Sequence, residues 1–438
     1  MKKTIIQDIL AGLSVSFAAL ALGAAFGVMS GRGAFAGMIA AGVIPIITGL
    51  FGGTRLSVSG PTGPMTAVSS VVIAFAYDKF VGEKLLAEQF ITLVFMLTSI
   101  GLLLAGIFRM GRLIQFVPKT VILGFMSGIA MVIWVDQIKI LFGLGGKTAP
   151  TGDLMLNLGL VVVTFFAIIL LPKMLTMLKV PKKVTIFIPA TLTIIVIMTI
   201  LTSIFQLDTE RITLGASVAS FSDFFSMVTS YIPTGQILTQ EYILQAIPYA
   251  LQLVMLGYLD SLLTALIVDH LTKEKSNLNK ELIGQGLSNG LAALCGGIPG
   301  AQATIRSVLL YQEGARTRVG AVAAGIFTLL GLLVFRNYIG LITSAVFIGV
   351  LFKAALDVFE KEFLMIYIER KWYRSRKRNI QFAFIMYTML MTAFYDLNMA
   401  VLSATIFYYV GKRFFGIEDL SDDFVAEVEE SEAIHSMT

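Results

Sequence analysis

An arginine and an aspartate stand inside otherwise apolar stretches of this sequence, and they are the first places to look for chemistry. Arg306 follows Gly300-Ala-Gln302-Ala303-Thr304 at the opening of a helix-forming run. Asp260 lies within the apolar segment Leu253 to Val268, and Thr264, four residues on, shares its helical face. Charge in such surroundings is costly and marks ion pathways, proton relays or fixed pairs. A helical side chain leans toward the N-terminus, so the Arg306 guanidinium can point back over the start of its helix, where its planar fork suits an oxyanion. Asp260 could carry a proton, bind a cation such as sodium, or simply pair with Arg306 and lock two helices. Thr62, Thr66, Thr304 and Ser307 supply hydroxyls able to hydrogen-bond an anion. Phe26, in a Gly-rich apolar run, could line such a site or only pack.

Neither histidine is placed to serve a serine nucleophile as general base, since His270 falls at the end of an apolar run and His435 in the tail. No enzyme is expected, and no cofactor. The only metal ion to consider is sodium at Asp260. The single Cys295 cannot form an internal disulfide and reads as packing among small residues.

The candidate residues must be positioned by two unusual segments. One reads Gly52-Gly53-Thr-Arg-Leu-Ser57-Val-Ser-Gly60-Pro61-Thr62-Gly63-Pro64-Met-Thr66, the other Gly296-Gly297-Ile-Pro299-Gly300-Ala-Gln302-Ala303-Thr304-Ile-Arg306-Ser307. Each follows a Gly-Gly pair, runs through small residues and opens into a helix. A helix that starts within a membrane leaves its first N–H groups unpaired and carries about half a positive charge at that end. Two such ends face to face form an anion cradle. The competing reading is that small residues only let membrane helices pack closely.

The rest of the chain supplies the membrane setting. Of 438 residues, 56% are hydrophobic and 14% charged, against roughly 25% charged in soluble domains. The apolar runs match a bilayer core of about 30 Å, which only helices can cross here. The first run continues past Ala25 with no small-residue cleavage pattern, so it is read as a span and not a signal peptide. Fourteen segments are expected, the third (61–77) and tenth (302–312) too short or broken to cross as ordinary helices, and the seventh spanning 184–205. The broken segments fall third in each group of seven, and an odd number of spans turns the second group upside down. The expected fold is therefore all-α, two inverted seven-segment repeats whose half-helices meet at mid-membrane. Basic residues favour one side, which places both termini in the cytoplasm. The run Arg370 to Arg378 could bind nucleic acid or anionic lipid, but it joins two apolar spans and is read as the loop that fixes topology. No nucleic-acid partner is expected.

Taken together, these residues resemble the sulfate permease (SulP) and solute-carrier anion transporters. The likeness runs from Leu20-Ala-Leu-Gly-Ala-Ala-Phe26 through Phe116-Val-Pro-Lys-Thr-Val-Ile-Leu-Gly-Phe-Met-Ser-Gly-Ile129 and Asn279-Lys-Glu-Leu-Ile-Gly-Gln-Gly286 to Ala303-Thr-Ile-Arg-Ser307. The resemblance implies a core domain in two parts, 1–115 and 244–336, and a gate domain in two parts, 116–243 and 337–415, often at a homodimer interface. It implies an anion site at Phe26, Thr62, Ala303, Thr304 and Arg306. Asp260 and Thr264, with Gln302 and Thr304 at the edge, match the cation site of the similar cyanobacterial sodium-dependent bicarbonate transporters. Ala21-Leu22 stands where the family commonly has Pro-Gln, and Arg306 follows the sulfate-permease pattern. The acidic tail, 416–438, is read as a solvated end without the family's STAS domain.

The function expected is secondary transport of a small inorganic oxyanion across the cytoplasmic membrane, sulfate first, coupled to protons. Two half-charges from the helix ends and one from Arg306 sum to about +2, which suits a dianion. The alternatives are sodium-coupled bicarbonate transport, a dicarboxylate transporter, an anion channel, or a nucleobase permease of the same fold.

Overall fold

The computed structural model describes residues 2–145, 149–179, 190–212, 221–395, 397–415 and 419–420. The expected opening of the seventh segment, 184–189, and the acidic tail apart from 419–420 lie outside these residues. The elements run α1 Lys2–Met29, α2 Ala34–Phe51, β1 Ser59–Gly60, α3 Gly63–Lys79, α4 Lys84–Ile107, α5 Lys119–Phe142, α6 Leu154–Met177, α7 Ala190–Ile204 and α8 Phe221–Tyr231. They continue with α9 Gln240–Thr272, α10 Leu278–Leu294, β2 Ala301–Gln302, α11 Thr304–Gln312, α12 Val319–Ile339, α13 Ser344–Val358, α14 Lys361–Glu369, α15 Arg376–Phe394 and α16 Leu397–Phe415. Among the described residues six helices are long and apolar enough to cross a bilayer, including Lys84–Ile107 and Leu154–Met177. At 24 residues each, these two are about 36 Å long, more than the hydrocarbon core requires.

The chain gathers into two compact units, one from residues 1–114 and 182–347, the other from 115–181 and 348–438. Of the described residues, 190–212 and 221–243 thus cluster with the first unit. In that unit α1 packs on α2 and α12, α2 on α10 and α12, and α4 on α9 and α10. Close approach depends on glycine: a Cβ on Gly37 of α2 would lie 1.9 Å from the Gly23 carbonyl oxygen of α1. Such small-residue contacts are how helices associate where no hydrophobic gradient drives them.

Both broken segments belong to the first unit. Pro61 and Pro64 flank the start of α3, where a missing N–H costs no helical hydrogen bond. β1 and β2 pair antiparallel, Ser59 opposite Gln302 and Gly60 opposite Ala301. Beneath them a buried cluster of Val15, Leu56, Val58, Val268 and Leu310 closes the packing.

In the second unit α5 lies along α15, where Gly124 and Gly128 meet Ile385, Thr388 and Thr392. Past α16, Asp419 accepts hydrogen bonds from the Lys119 and Thr120 amides at 2.7 and 3.1 Å, capping α5, while Leu420 is buried beside Leu123 and Phe363. Two short helices, α8 and α14, join longer ones. At 11 and 9 residues they are too short for their periodicity to stand out from the neighbouring spans.

Candidate functional site

α3 and α11 begin side by side because the strands that precede them are paired. Thr62 stands at the N-cap of α3 and Ala303 at that of α11, and neither helix start is closed by a side-chain hydrogen bond. Two sets of first-turn N–H groups therefore remain for a ligand.

Arg306 is buried, 2% exposed, and reaches across the strand pair to donate from Nη2 to the Pro61 carbonyl at 2.8 Å. Its Nη1 has no partner. Gly60 makes room for it, since a Cβ there would lie 2.7 Å from Nη1. Gly300 is as constrained, because its Cβ would meet the Gly60 carbonyl carbon and oxygen at 2.3 Å.

Asp260 on α9 is 6% exposed, within hydrogen-bonding reach of the Thr62 hydroxyl and electrostatic reach of Arg306. The direct ion pair that the sequence allowed is not formed, and Asp260 Oδ2 has no hydrogen-bond partner. The Thr66 hydroxyl, also buried, is likewise unpartnered, and that of Thr62 faces Asp260. A guanidinium nitrogen, a carboxylate oxygen and a hydroxyl without protein partners thus lie near the two helix starts, able to hydrogen-bond a ligand or water. Thr264, one turn beyond Asp260, shares a 2.7 Å hydrogen bond with the Thr304 hydroxyl and so joins α9 to α11. Phe26 is buried on α1, which packs against both α3 and α11.

Gln302 lies against the residue after Asp260: its backbone amide donates to Ser261 Oγ at 3.2 Å, and its side-chain nitrogen, oriented to donate, reaches the Ser261 carbonyl at 3.2 Å and Glu281 Oε1 at 3.3 Å. Glu281 belongs to a polar stripe on α10 that the sequence reading quoted only as part of a motif. The fully buried Glu281 accepts from the Gly53 and Thr54 amides, both at 2.8 Å, and from Gln285 Nε2 at 3.0 Å. Gln285 Nε2 also reaches Ser59 Oγ at 2.7 Å. Asn289 accepts from the Gly300 amide at 2.7 Å and donates to its carbonyl at 3.0 Å. The spacing 281, 285, 289 sets all three on one helical face, so one helix grips both broken segments. That i, i+4, i+8 repeat of polar residues was the available signal.

A second buried group lies in the turn between α1 and α2. Arg32 is 6% exposed and donates from Nε and Nη2 to Glu88 Oε2 at 3.0 and 2.7 Å. Its Nη1 donates to the Gly297 carbonyl at 2.8 Å, and the Tyr77 hydroxyl donates to Glu88 Oε1 at 2.6 Å. These side chains, with Lys84 and Tyr231, border a cavity of about 240 Å³. Because Arg32 grips the backbone that leads into β2, the pair anchors the second broken segment from its upstream side.

Among known proteins, the sequence profile described as Sulfate permease family matches residues 5–371. The bicarbonate transporter BicA of Picosynechococcus is 33% identical over 90% of this chain and 68% of its own length. YvdB of Bacillus subtilis, provisionally named a sulfate transporter, is 29% identical over 92% of this chain and 73% of its own. The solved transmembrane domain of a cyanobacterial BicA superposes with a TM-score of 0.76 at 28% identity, covering 92% of this chain and 98% of that one. The anion transporter SLC26A9, 16% identical, shares the fold with a TM-score of 0.70 over 93% of this chain and 65% of its own. A multi-pass helical protein whose profile match runs through both broken segments, this chain belongs to the sulfate permease family of anion transporters.

Proposed function

We propose that the chain is a secondary active transporter of a small oxyanion, sulfate before others, and that uptake is coupled to protons through Asp260. The observation that carries the reading is the buried Arg306, with Nη1 unpartnered, set between two helix starts that lack caps. Thr62, Thr66, Ala303 and Thr304 would complete the anion's shell, with Phe26 as its apolar wall. A dianion fits the sum of about +2 from the helix ends and Arg306. An ionised Asp260 would cancel one unit, so protonation and anion binding favour each other.

The inverted-repeat reading has support in the packing. Exchanging α1 to α4 with α9 to α12 turns α1 on α12 into α9 on α4, and α2 on α12 into α10 on α4. All of these contacts are present. On that reading α3 and α11 are half-helices meeting at mid-membrane, α1 to α4 and α9 to α12 form the core, the remaining segments form the gate, both termini are cytoplasmic, and the protein works as a homodimer in the cell membrane.

A second reading, sodium-coupled bicarbonate transport, is favoured by the likeness to BicA and by the placing of Thr264 and Thr304 beside the Asp260 helix face. An anion panel in proteoliposomes, with pH and sodium varied independently, separates the two. Sulfate uptake accelerated by outside acid in sodium-free buffer supports the first. Bicarbonate uptake that needs sodium and ignores the pH gradient replaces it with the second.

A further inference from the structure

The basic run after α14 needs only its charge to fix topology, yet the structure builds a rigid platform around it. Along α14, Phe363 and Tyr367 turn inward onto Phe382, at ring distances of 6.3 and 4.5 Å. Trp372 packs edge-on against Phe363 at 6.3 Å, and the Arg378 guanidinium lies 4.0 Å from the Trp372 ring. The Tyr367 hydroxyl donates to Asn379 Oδ1 at 2.6 Å, and Asn379 Nδ2 donates to the Tyr373 carbonyl at 2.9 Å. These contacts hold the turn from 370 to 376 in one shape.

The outer side of the same platform is both apolar and basic. Leu364, Met365 and Ile368 are 39%, 40% and 60% exposed and share one face of α14, and Tyr373 beside them is 49% exposed. Lys361 falls on that face, and Lys371, Arg374 and Arg376 are exposed next to it. Residues 360–378 hold seven basic and three acidic side chains, the acids being Glu360, Glu362 and Glu369. A helix of nine residues, about 14 Å long, cannot cross a bilayer. An apolar stripe bordered by lysine and arginine is instead the pattern of a helix lying in the interface plane.

We propose that this platform is a docking surface for the anionic phospholipid headgroups of the bilayer that surrounds the protein. Leu364, Met365 and Ile368 would enter the boundary between headgroups and acyl chains, while Lys371, Arg374 and Arg376 engage the phosphates. The proposal concerns the second unit alone and does not depend on which anion is carried or how its transport is coupled.

Trp372 provides the test, because the chain has two tryptophans and Trp134→Phe leaves Trp372 as the reporter. The full chain is reconstituted into phosphatidylcholine vesicles containing equal mole fractions of either brominated phosphatidylglycerol or brominated phosphatidylcholine. One lysine or arginine near an anionic surface enriches that lipid roughly fivefold, so phosphatidylglycerol should quench Trp372 the more strongly. Lys371→Gln/Arg374→Gln/Arg376→Gln should equalise the two lipids, and Leu364→Ser/Ile368→Ser should weaken quenching by both, each variant remaining monodisperse. Equal quenching in the parent protein, or a preference that survives the triple substitution, overturns the proposal. So does an absence of quenching by either lipid, which is what a surface reserved for a soluble partner would give.

Discussion

Arg306 and Gly60 are fitted to one another: a Cβ on Gly60 would sit 2.7 Å from Arg306 Nη1 and 3.2 Å from Nη2. The guanidinium therefore rests on bare backbone, and its hydrogen bond to Pro61 sets its height above the start of α3. Gly60→Ala should push the guanidinium off this seat and weaken anion binding while leaving the helices intact. Gly300→Ala should be worse, because its Cβ meets Gly60 backbone and not a flexible side-chain end. Overpacking of this kind costs about 1–3 kcal/mol. Thermal unfolding in detergent, run beside anion titration, reads both: Gly60→Ala loses affinity and, because Gly60 sits at φ +154°, some stability, while Gly300→Ala loses more stability.

Removing the charge itself is a cleaner measure of the anion site. Arg306→Ala should lower anion affinity at least tenfold, or about 1.4 kcal/mol, and Arg306→Lys should recover only part of it, since an ammonium lacks the planar fork. Isothermal titration with sulfate reads both. Unchanged affinity in the alanine variant would move the site elsewhere.

Asp260→Asn fixes the side chain in a neutral form. It should retain anion binding, abolish the acceleration of uptake by outside acid, and leave a rate that no longer varies with the pH gradient. The sign follows from charge: protonating Asp260 removes a negative neighbour of Arg306 and of the incoming anion, so acid outside favours loading. Stimulation by acid that persists in the asparagine variant would assign the proton to another group.

Glu281 should prove a positioning residue. Glu281→Ala strands the Gly53 and Thr54 amides, each buried orphan costing about 1–3 kcal/mol, while Gln285 Nε2 keeps Ser59 Oγ. Glu281→Gln keeps one acceptor and should fall between the alanine variant and the parent. Melting temperatures should rank in that order, with anion affinity following stability.

Glu88→Gln tests the other buried group. It leaves Arg32 charged without its carboxylate, a change that costs about 3–5 kcal/mol in buried pairs, whereas Arg32→Met/Glu88→Leu should recover much of the loss. The measurement is again the melting temperature. A single variant as stable as the parent would show that water, not Glu88, balances Arg32.

The broken segments were legible in the sequence because glycine and proline punctuate them, and because an arginine inside an apolar run has few bland explanations. Thr62, Thr304 and Arg306 could be placed from that alone, and Asp260 with Thr264 from helical spacing. Arg32 was not legible: it stands in a short Gly-Arg-Gly turn and its carboxylate comes from Glu88 on another helix, a pairing that no local pattern encodes. Gln302 was placed near the site by resemblance; its side chain reaches both the Ser261 carbonyl, next to Asp260, and Glu281 Oε1, and the second of these contacts has no local sequence signal. Helix α14 was hidden by the basic run that follows it, which outweighs nine residues of mixed pattern.

The pairing of β1 with β2 also sets a timetable for biogenesis. Ser59 and its partner Gln302 are separated by roughly 240 residues, which a ribosome adding 5–20 residues per second needs about 12 to 50 s to supply. Throughout that interval the nascent chain holds a strand, a Ser59 hydroxyl and the Gly53 and Thr54 amides whose partners have yet to be synthesised.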